Sequence, residues 1–413
     1  MVEHEGEFYD RQEVRDPEQR HDQMFTALPG LVRHAIDNAP GIARLYADID
    51  AASIGSPAAL AGLPVLRKAE LVERQAAEAP FGGLVATPVA RLSRIFVSPG
   101  PIVEPESIRS DYWRLARALF AAGFRAGDLI HNAFSYHLTP AGMMIEGGAR
   151  AIGCPVIPAG VGQTGRQLEA IARLRPTAYT GTPSFLATLL EEGAAAGVDT
   201  GAFAKALVSG EPFPATLRVA WRERYGIEGF QCYATADLGL IAYESPAREG
   251  LIVDEAVIVE IVRPGTGEPV DDGEVGEVLV TSFNPDYPLI RFATGDLSAF
   301  MPGASPCGRT NRRIRGWLGR ADQSTKIRGL FVHPHHVAAI VGRHQLARGR
   351  LVVDHVEAKD RLRLLVEASD DGAGLAQALT DSVRQVTGLR GDVELVPPGS
   401  LPNDGKVIDD RRA

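Results

Sequence analysis

Beyond about residue 90 the apolar positions fall into short runs set off by glycine and proline, and the stretches between them carry helical spacing. Arg94–Val97, Leu129–Phe134, Pro155–Pro158, Thr177–Thr180, Ala206–Val208 and Gly229–Tyr233 read as strands. Ser110–Ala122, Ala141–Ile152, Gln167–Arg173, Ser184–Ala195 and Ala215–Tyr225 read as helices, with Gly123 capping the first. This alternation predicts βαβ units and a mostly parallel sheet covered by helices on both faces. Upstream, residues 1–80 read as mainly helical, broken at Leu28-Pro29-Gly30, with Leu63–Leu71 an extended entry into a helix. No chemistry is legible there.

The texture changes after residue 250. Two strand-like runs, VIVEIVRP and EVLVTSF, are joined by the Gly/Asp-rich GTGEPVDDGEVG, which predicts an antiparallel pair in a β subdomain. After about residue 320, Arg350–Val353 and Leu362–Val366 predict a hairpin. Leu375, Leu379, Val383 and Val386 form a helical stripe, and Asp392–Val396 is a further strand. The expected class is therefore α/β, with a large N-terminal domain over residues 1–320 and a small α+β domain over residues 321–413.

Composition narrows the partners. A chain of 413 residues exceeds one ordinary core. Its net charge of −9 argues against nucleic acid as the main partner. Cys154, Cys232 and Cys307 show no CxxC spacing, which fits a reducing cytoplasm. No run approaches the roughly 20 apolar residues of a membrane span. The charged N-terminal stretch lacks the apolar segment of a secretory signal. Oligomeric state is left open, a homodimer included.

Candidate chemistry concentrates in Pro288–Pro334. A strand-like run ends at Thr294-Gly295-Asp296, placing a carboxylate beyond a glycine turn. Arg312, Arg313, Arg315, Arg320, Lys326 and Arg328 follow, opposed only by Asp322. A carboxylate suits ribose hydroxyls and the cations suit phosphates, so the stretch reads as a nucleotide site near a joint. Arg312, Arg313 and Arg315 read as solvated or ion-paired.

PLIRFATGDLS, CGRTNRRI, GRADQSTKIRGLFVHP and the late Gly405-Lys406 together resemble the adenylate-forming (AMP-binding) superfamily, in its phenylacetate–coenzyme A ligase branch. Ser209-Gly210-Glu211-Pro212, the run His131–Tyr136 and the run Val161–Gln167 add to the likeness, which covers roughly residues 60–410. The resemblance implies ATP-dependent activation of a carboxylic acid to an acyl-adenylate, then transfer to coenzyme A, with Mg²⁺ as cofactor. It implies a large domain binding nucleotide and acid, and a small mobile C-terminal domain. By position, Asp296 would hold the ribose and Arg320 the ribose or phosphate. Ser209, Gly210, Glu211, Pro212, Tyr233, Ala234 and Thr235 would line the nucleotide, with Tyr233 stacking on adenine. Lys406, Arg320 and Asp237 would be catalytic, with Asp237 the Mg²⁺ ligand. Asp322 would be the hinge, and Phe134 and Tyr136 would wall a pocket for an aryl acid.

Two stretches depart from the family pattern. The phosphate loop, a Ser/Thr/Gly-rich run ending in lysine, corresponds here to Ser98–Pro105, with prolines at 99 and 101 and Glu104 at the lysine position. Proline offers no N–H to a phosphate, and Glu104 is expected to repel the triphosphate. In Tyr233-Ala234-Thr235-Ala236-Asp237, Ala236 lacks the family's hydroxyl, and Asp237 has a shorter arm than the family's glutamate. Cys307 resembles cysteines that bind zinc in some relatives, but Ser305 stands at the partner position and no zinc is expected. Three readings follow: an acyl-CoA ligase, an adenylating enzyme with another acceptor, and a nucleotide- or acyl-CoA-binding homologue that has lost adenylation.

Overall fold

The computed structural model describes residues 7–98, 100–327, 330–356, 359–369, 374–402 and 406–412. In chain order its strands are β1 (Leu66–Arg67), β2 (Leu92–Ser98), β3 (Ile102–Ser107), β4 (Ile130–Asn132), β5 (Val156–Pro158), β6 (Ala178–Gly181) and β7 (Lys205–Val208). They continue as β8 (Glu228–Thr235), β9 (Gly239–Glu244), β10 (Leu251–Val253), β11 (Val257–Val262), β12 (Gly276–Ser282), β13 (Phe292–Ser298), β14 (Phe300–Met301) and β15 (Arg313–Ile314). The last six are β16 (Thr325–Ile327), β17 (Leu330–Val332), β18 (Gly349–Val356), β19 (Lys359–Glu367), β20 (Asp392–Val396) and β21 (Ile408–Asp410).

The alternation after residue 90 builds a nine-stranded sheet in the order β14-β15-β10-β9-β8-β7-β6-β4-β5. From β8 to β5 its pairings are parallel, and β9, β10, β15 and β14 continue it antiparallel. Every residue of β6 is buried, as a strand covered on both faces requires. The chain leaves β4 for β5 on one side and returns to β6 on the other, so the strand order reverses between β4 and β6. In doubly wound sheets ligands enter the crevice outside the carboxyl ends of strands at such a reversal.

The Gly/Asp-rich segment joins β11 and β12, which pair antiparallel from Val257↔Ser282 to Val262↔Glu277. With β1 and β13 they form a second sheet, in the order β1-β13-β12-β11. Arg291, one residue before β13, ties this sheet together. Its side chain is 2% exposed. It donates to Glu260 at 3.1 and 3.2 Å and to the carbonyls of Ala61, Leu63 and Gly267, each at 2.7 Å.

Four local expectations change. The N-terminal helix does not break at Leu28-Pro29-Gly30 but runs from Pro17 to Asn38 with Pro29 inside it. The strand in PLIRFATGDLS does not end at Gly295 but runs to Ser298, with Gly295 at φ 76° as a kink inside it. The helix expected over Ser110–Ala122 is confined to Leu115–Ala121. Asp111 and Arg114 adopt left-handed backbone angles, because the Arg114 guanidinium reaches out to the Leu238 and Leu240 carbonyls and to Asp254. Tertiary hydrogen bonds there override helix propensity. Finally, Ile102–Ser107 within and beyond the phosphate-loop stretch is a strand, pairing with β2 from Ser98↔Ile102 to Leu92↔Ser107.

By internal packing the chain divides into two compact units. The first comprises Met1–Thr294 and Ala299–Trp317, the second Gly295–Ser298 and Leu318–Ala413. The second unit packs the helices Pro334–Arg343 and Leu375–Thr387 with the sheet β20-β19-β18-β21. Of the helical stripe, Leu379 and Val383 are fully buried, while Leu375 and Val386 flank that core. In the first unit the N-terminal segment is pinned by buried Glu13, which accepts from Tyr243 at 2.7 Å and pairs with Arg309 at 3.2 Å.

Candidate functional site

At the carboxyl edge of the parallel strands, β4 ends in Asn132, a fully buried amide. Its Oδ1 accepts from Thr180 of β6 at 3.0 Å, and its Nδ2 donates to the Tyr136 hydroxyl at 2.7 Å and to the Gly142 carbonyl at 3.0 Å. One side chain thus joins the two strands of the reversal to the loop carrying Phe134 and Tyr136. The next loop is held similarly, as Gln167 donates to the Gly160 and Gly162 carbonyls and accepts from buried His131 at 2.7 Å. Ser209, just past β7, donates to the Cys232 carbonyl at 2.9 Å, and Gly210 follows at φ 82°. Glu211 accepts from the backbone N–H of Ser184 at 3.3 Å. Pro212 is exposed, completing the Ser209–Pro212 turn. On β8, half-buried Tyr233 donates its hydroxyl to Thr294 at 3.2 Å, Ala234 lies at a bulge, and Thr235 accepts from the Leu238 N–H.

Asp237 lies beyond β8 with its side chain fully buried, and pairs with Lys68 at 2.6 Å. Among the described residues its other oxygen, Oδ1, has no hydrogen-bond partner, and nor do Glu104 Oε2 and the Tyr287 hydroxyl. A buried carboxylate oxygen without a donor fits a hard cation that also takes oxygens from a substrate phosphate, as Mg²⁺ does. Lys68 sits in a region where the sequence showed no chemistry. Nothing in its neighbourhood along the chain marks it, since its partner lies 169 residues away.

Glu104 does not stand in solvent. It is fully buried, paired in register with Phe96, and accepts from the Ser98 hydroxyl at 2.5 Å. Burial, with the Asp237 charge adding to it, raises its carboxyl from an ordinary 4.5 to about 7. Between those values the folded chain holds a proton that the unfolded chain has lost, so stability falls as pH rises through that window. Above pH 7 the full cost is on the order of 3 kcal/mol. Glu104→Gln is therefore expected to gain stability over the parent at pH 8 but not at pH 5, read as urea midpoints. An identical difference at both pH values would refute the assignment.

In the second unit Asp296 and Arg320 form an isolated β-bridge and an ion pair at 3.2 Å. Gly295 is required beside them: a Cβ there would lie 2.8 Å from an Arg320 guanidinium nitrogen, at a φ that other residues rarely adopt. Asp322, in the short 3₁₀ turn Ala321–Gln323, is well exposed and pairs with Arg320 Nε at 3.4 Å. Lys406 is exposed and lies 3.8 Å from Asp409, while residues 403–405 of the expected turn lie outside those described. Of the basic cluster, Arg312 pairs with Asp272, and buried Arg313 pairs with Glu249. Arg328 and the Lys326 side chain lie outside the description. Cys307 is 3.1 Å from Ser305 Oγ, and among the described residues no group of three or more His, Cys, Asp or Glu is arranged to hold a metal.

A family model described as AMP-binding enzyme matches residues 133–284. The phenylacetate-coenzyme A ligase of Thermus thermophilus is 30% identical over 91% of this chain and 92% of its own length. That of Escherichia coli K12 is 30% identical over 92% of each. The solved structure of an open conformation of 2-hydroxyisobutyryl-CoA ligase, in complex with 2-HIB-AMP and CoA, superposes with a TM-score of 0.85. It is 24% identical, covering 99% of this chain and 95% of its own, and the likeness is one of fold.

Proposed function

We propose that this chain, which belongs to the phenylacetate–coenzyme A ligase family of AMP-binding enzymes, is an ATP-dependent acid–coenzyme A ligase acting on an aryl carboxylic acid. A carboxylate oxygen of the acid attacks the α-phosphorus of ATP, forming the acyl-adenylate and releasing pyrophosphate. The thiol of coenzyme A then attacks the acyl carbonyl, losing its proton as the thioester forms and AMP departs.

The observation that carries the reading is the Asp296–Arg320 pair beside Gly295. Asp296 accepts from the ribose hydroxyls, and Arg320, held by that carboxylate, meets the ribose or phosphate. Ser209–Pro212 and Tyr233–Thr235 line the nucleotide, with Tyr233 against adenine. Lys406 reaches the acid and α-phosphate, where its ammonium stabilises charge developing in the transition state. Asp237 would hold Mg²⁺, which neutralises phosphate charge when bound. Asp322 is the pivot about which the second unit moves, and residues 1–320 and 321–413 act as the two domains. Free cysteines, and no helix among the described residues long and apolar enough to cross a membrane, support a cytoplasmic setting.

Glu104 had favoured a homologue that has lost adenylation. Its burial weakens that argument, since its charge is not presented to solvent. The deciding experiment supplies ATP, Mg²⁺ and a panel of aryl acids, with and without coenzyme A, and follows pyrophosphate, AMP and thioester. Pyrophosphate release that does not depend on the acid, or none at all, removes the ligase. Acid-dependent AMP without thioester assigns another acceptor.

A further inference from the structure

Tyr136 is fixed more tightly than a pocket-lining phenol needs to be. Its ring lies flat on the start of the helix Ala141–Ile152, where a Cβ at Gly142 would come within 2.8 Å of the ring, and it also covers Gly160. Asn132 Nδ2 can only donate, so the Tyr136 oxygen accepts that bond and directs its own proton elsewhere. Burial and the Glu146 carboxylate beside it raise the phenol above its ordinary value, so Glu146 is the acceptor at hand for that proton. Glu146 stands one helical turn after Gly142, on the face that the ring covers, and is half-buried.

A carboxylate accepts about four hydrogen bonds, and the phenol supplies one. No lysine, arginine or histidine among the described residues forms a salt bridge with Glu146. All of this lies at the carboxyl end of β4, beside the reversal between β4 and β6 where a doubly wound sheet takes its ligand. Half-buried Phe134 supplies an apolar surface in the same loop. An aryl ring entering there would meet an apolar surface with a carboxylate acceptor beside it.

We propose that Glu146, oriented by Tyr136 and Asn132, is a specificity-determining residue that selects aryl acids carrying a hydroxyl or amino group on the ring. The proposal rests on the reading of this crevice as the acyl site. A ring donor satisfies the carboxylate's spare acceptor sites. An unsubstituted ring strips water from a carboxylate and returns nothing, and a site built for a polar group rejects the analogue lacking it.

The test measures acid-dependent pyrophosphate release for benzoate, phenylacetate and their hydroxy- and amino-substituted forms. The parent chain is expected to favour the best substituted acid over its unsubstituted counterpart by about 10² in kcat/KM. Glu146→Leu should bring that ratio near one, mainly by lowering kcat/KM for the substituted acid. Tyr136→Phe, which frees the carboxylate to turn, should lower it about tenfold. Calorimetric titration of the same acids into parent and variants supplies a readout independent of turnover. If no acid releases pyrophosphate but substituted acids bind in a Glu146-dependent way, the ligase reading falls and this one stands. A parent that prefers unsubstituted rings overturns the proposal. So does a preference that Glu146→Leu leaves unchanged, in turnover and in binding alike.

Discussion

Lys406→Ala is expected to lower acid-dependent pyrophosphate release about 10²–10³-fold, the usual loss when a group that stabilises transition-state charge is removed. Thioester formation from supplied acyl-adenylate should fall far less, because the α-phosphate has already been attacked before that step begins. The division is testable because the variant's stability can be measured beside its activity. Lys406 is exposed and its Asp409 partner lies 3.8 Å away, a pair of a kind worth under about 1 kcal/mol. A urea midpoint equal to the parent's shows that a loss of adenylation does not report unfolding. Equal losses in both assays would contradict the assignment. So would a variant whose urea midpoint drops along with its activity.

The second large effect concerns stability. Arg291→Met strands Glu260 without its cation and leaves the Ala61, Leu63 and Gly267 carbonyls without their donor. Breaking a buried pair from one side costs about 3–5 kcal/mol, enough to bring the first unit close to unfolding. Replacing both partners, Arg291→Met with Glu260→Met, removes the stranded charge, although the three carbonyls still lack a donor. The double variant should accordingly recover a measurable part of the loss in a denaturant titration. If it is as unstable as Arg291→Met alone, the ion pair is not what holds the sheet.

These two residues mark how far the chain could be read without coordinates. The βαβ alternation was legible because buried parallel strands and amphipathic helices leave different periodicities. The pairing of β11 with β12 was legible because a Gly/Asp-rich turn permits little else. Asp296 and Arg320 were visible through their glycine-marked motifs, and the structure sets them 3.2 Å apart. Arg291 lay in the same motif, yet nothing in its sequence context distinguishes a phosphate-binding arginine from one that ties carbonyls in a core. Lys68 was invisible for a different reason. An ion pair spanning 169 residues has no periodicity, so only the folded chain reveals it. The burial of Glu104 was not legible because a residue's position in a motif does not say which face of a strand it occupies. The register with Phe96 turns it inward.

Gly295–Ser298 groups with the C-terminal unit although about twenty residues of the other unit separate them from it along the chain. Heredity sees that arrangement differently from geometry. A recombination event joining two relatives near residue 318 would transmit most of the small unit but leave its first four residues with the other parent. The backbone bonds across that seam, Leu297 N–H to Gly319 and Leu318 N–H to Leu297, ignore side chains and would survive the exchange. Asp296, Gly295 and Arg320 would not be exchanged together, so a functional hybrid needs both parents to carry the same matched triplet. That requirement couples the three positions in descent, even though one of them lies on the far side of the crossover.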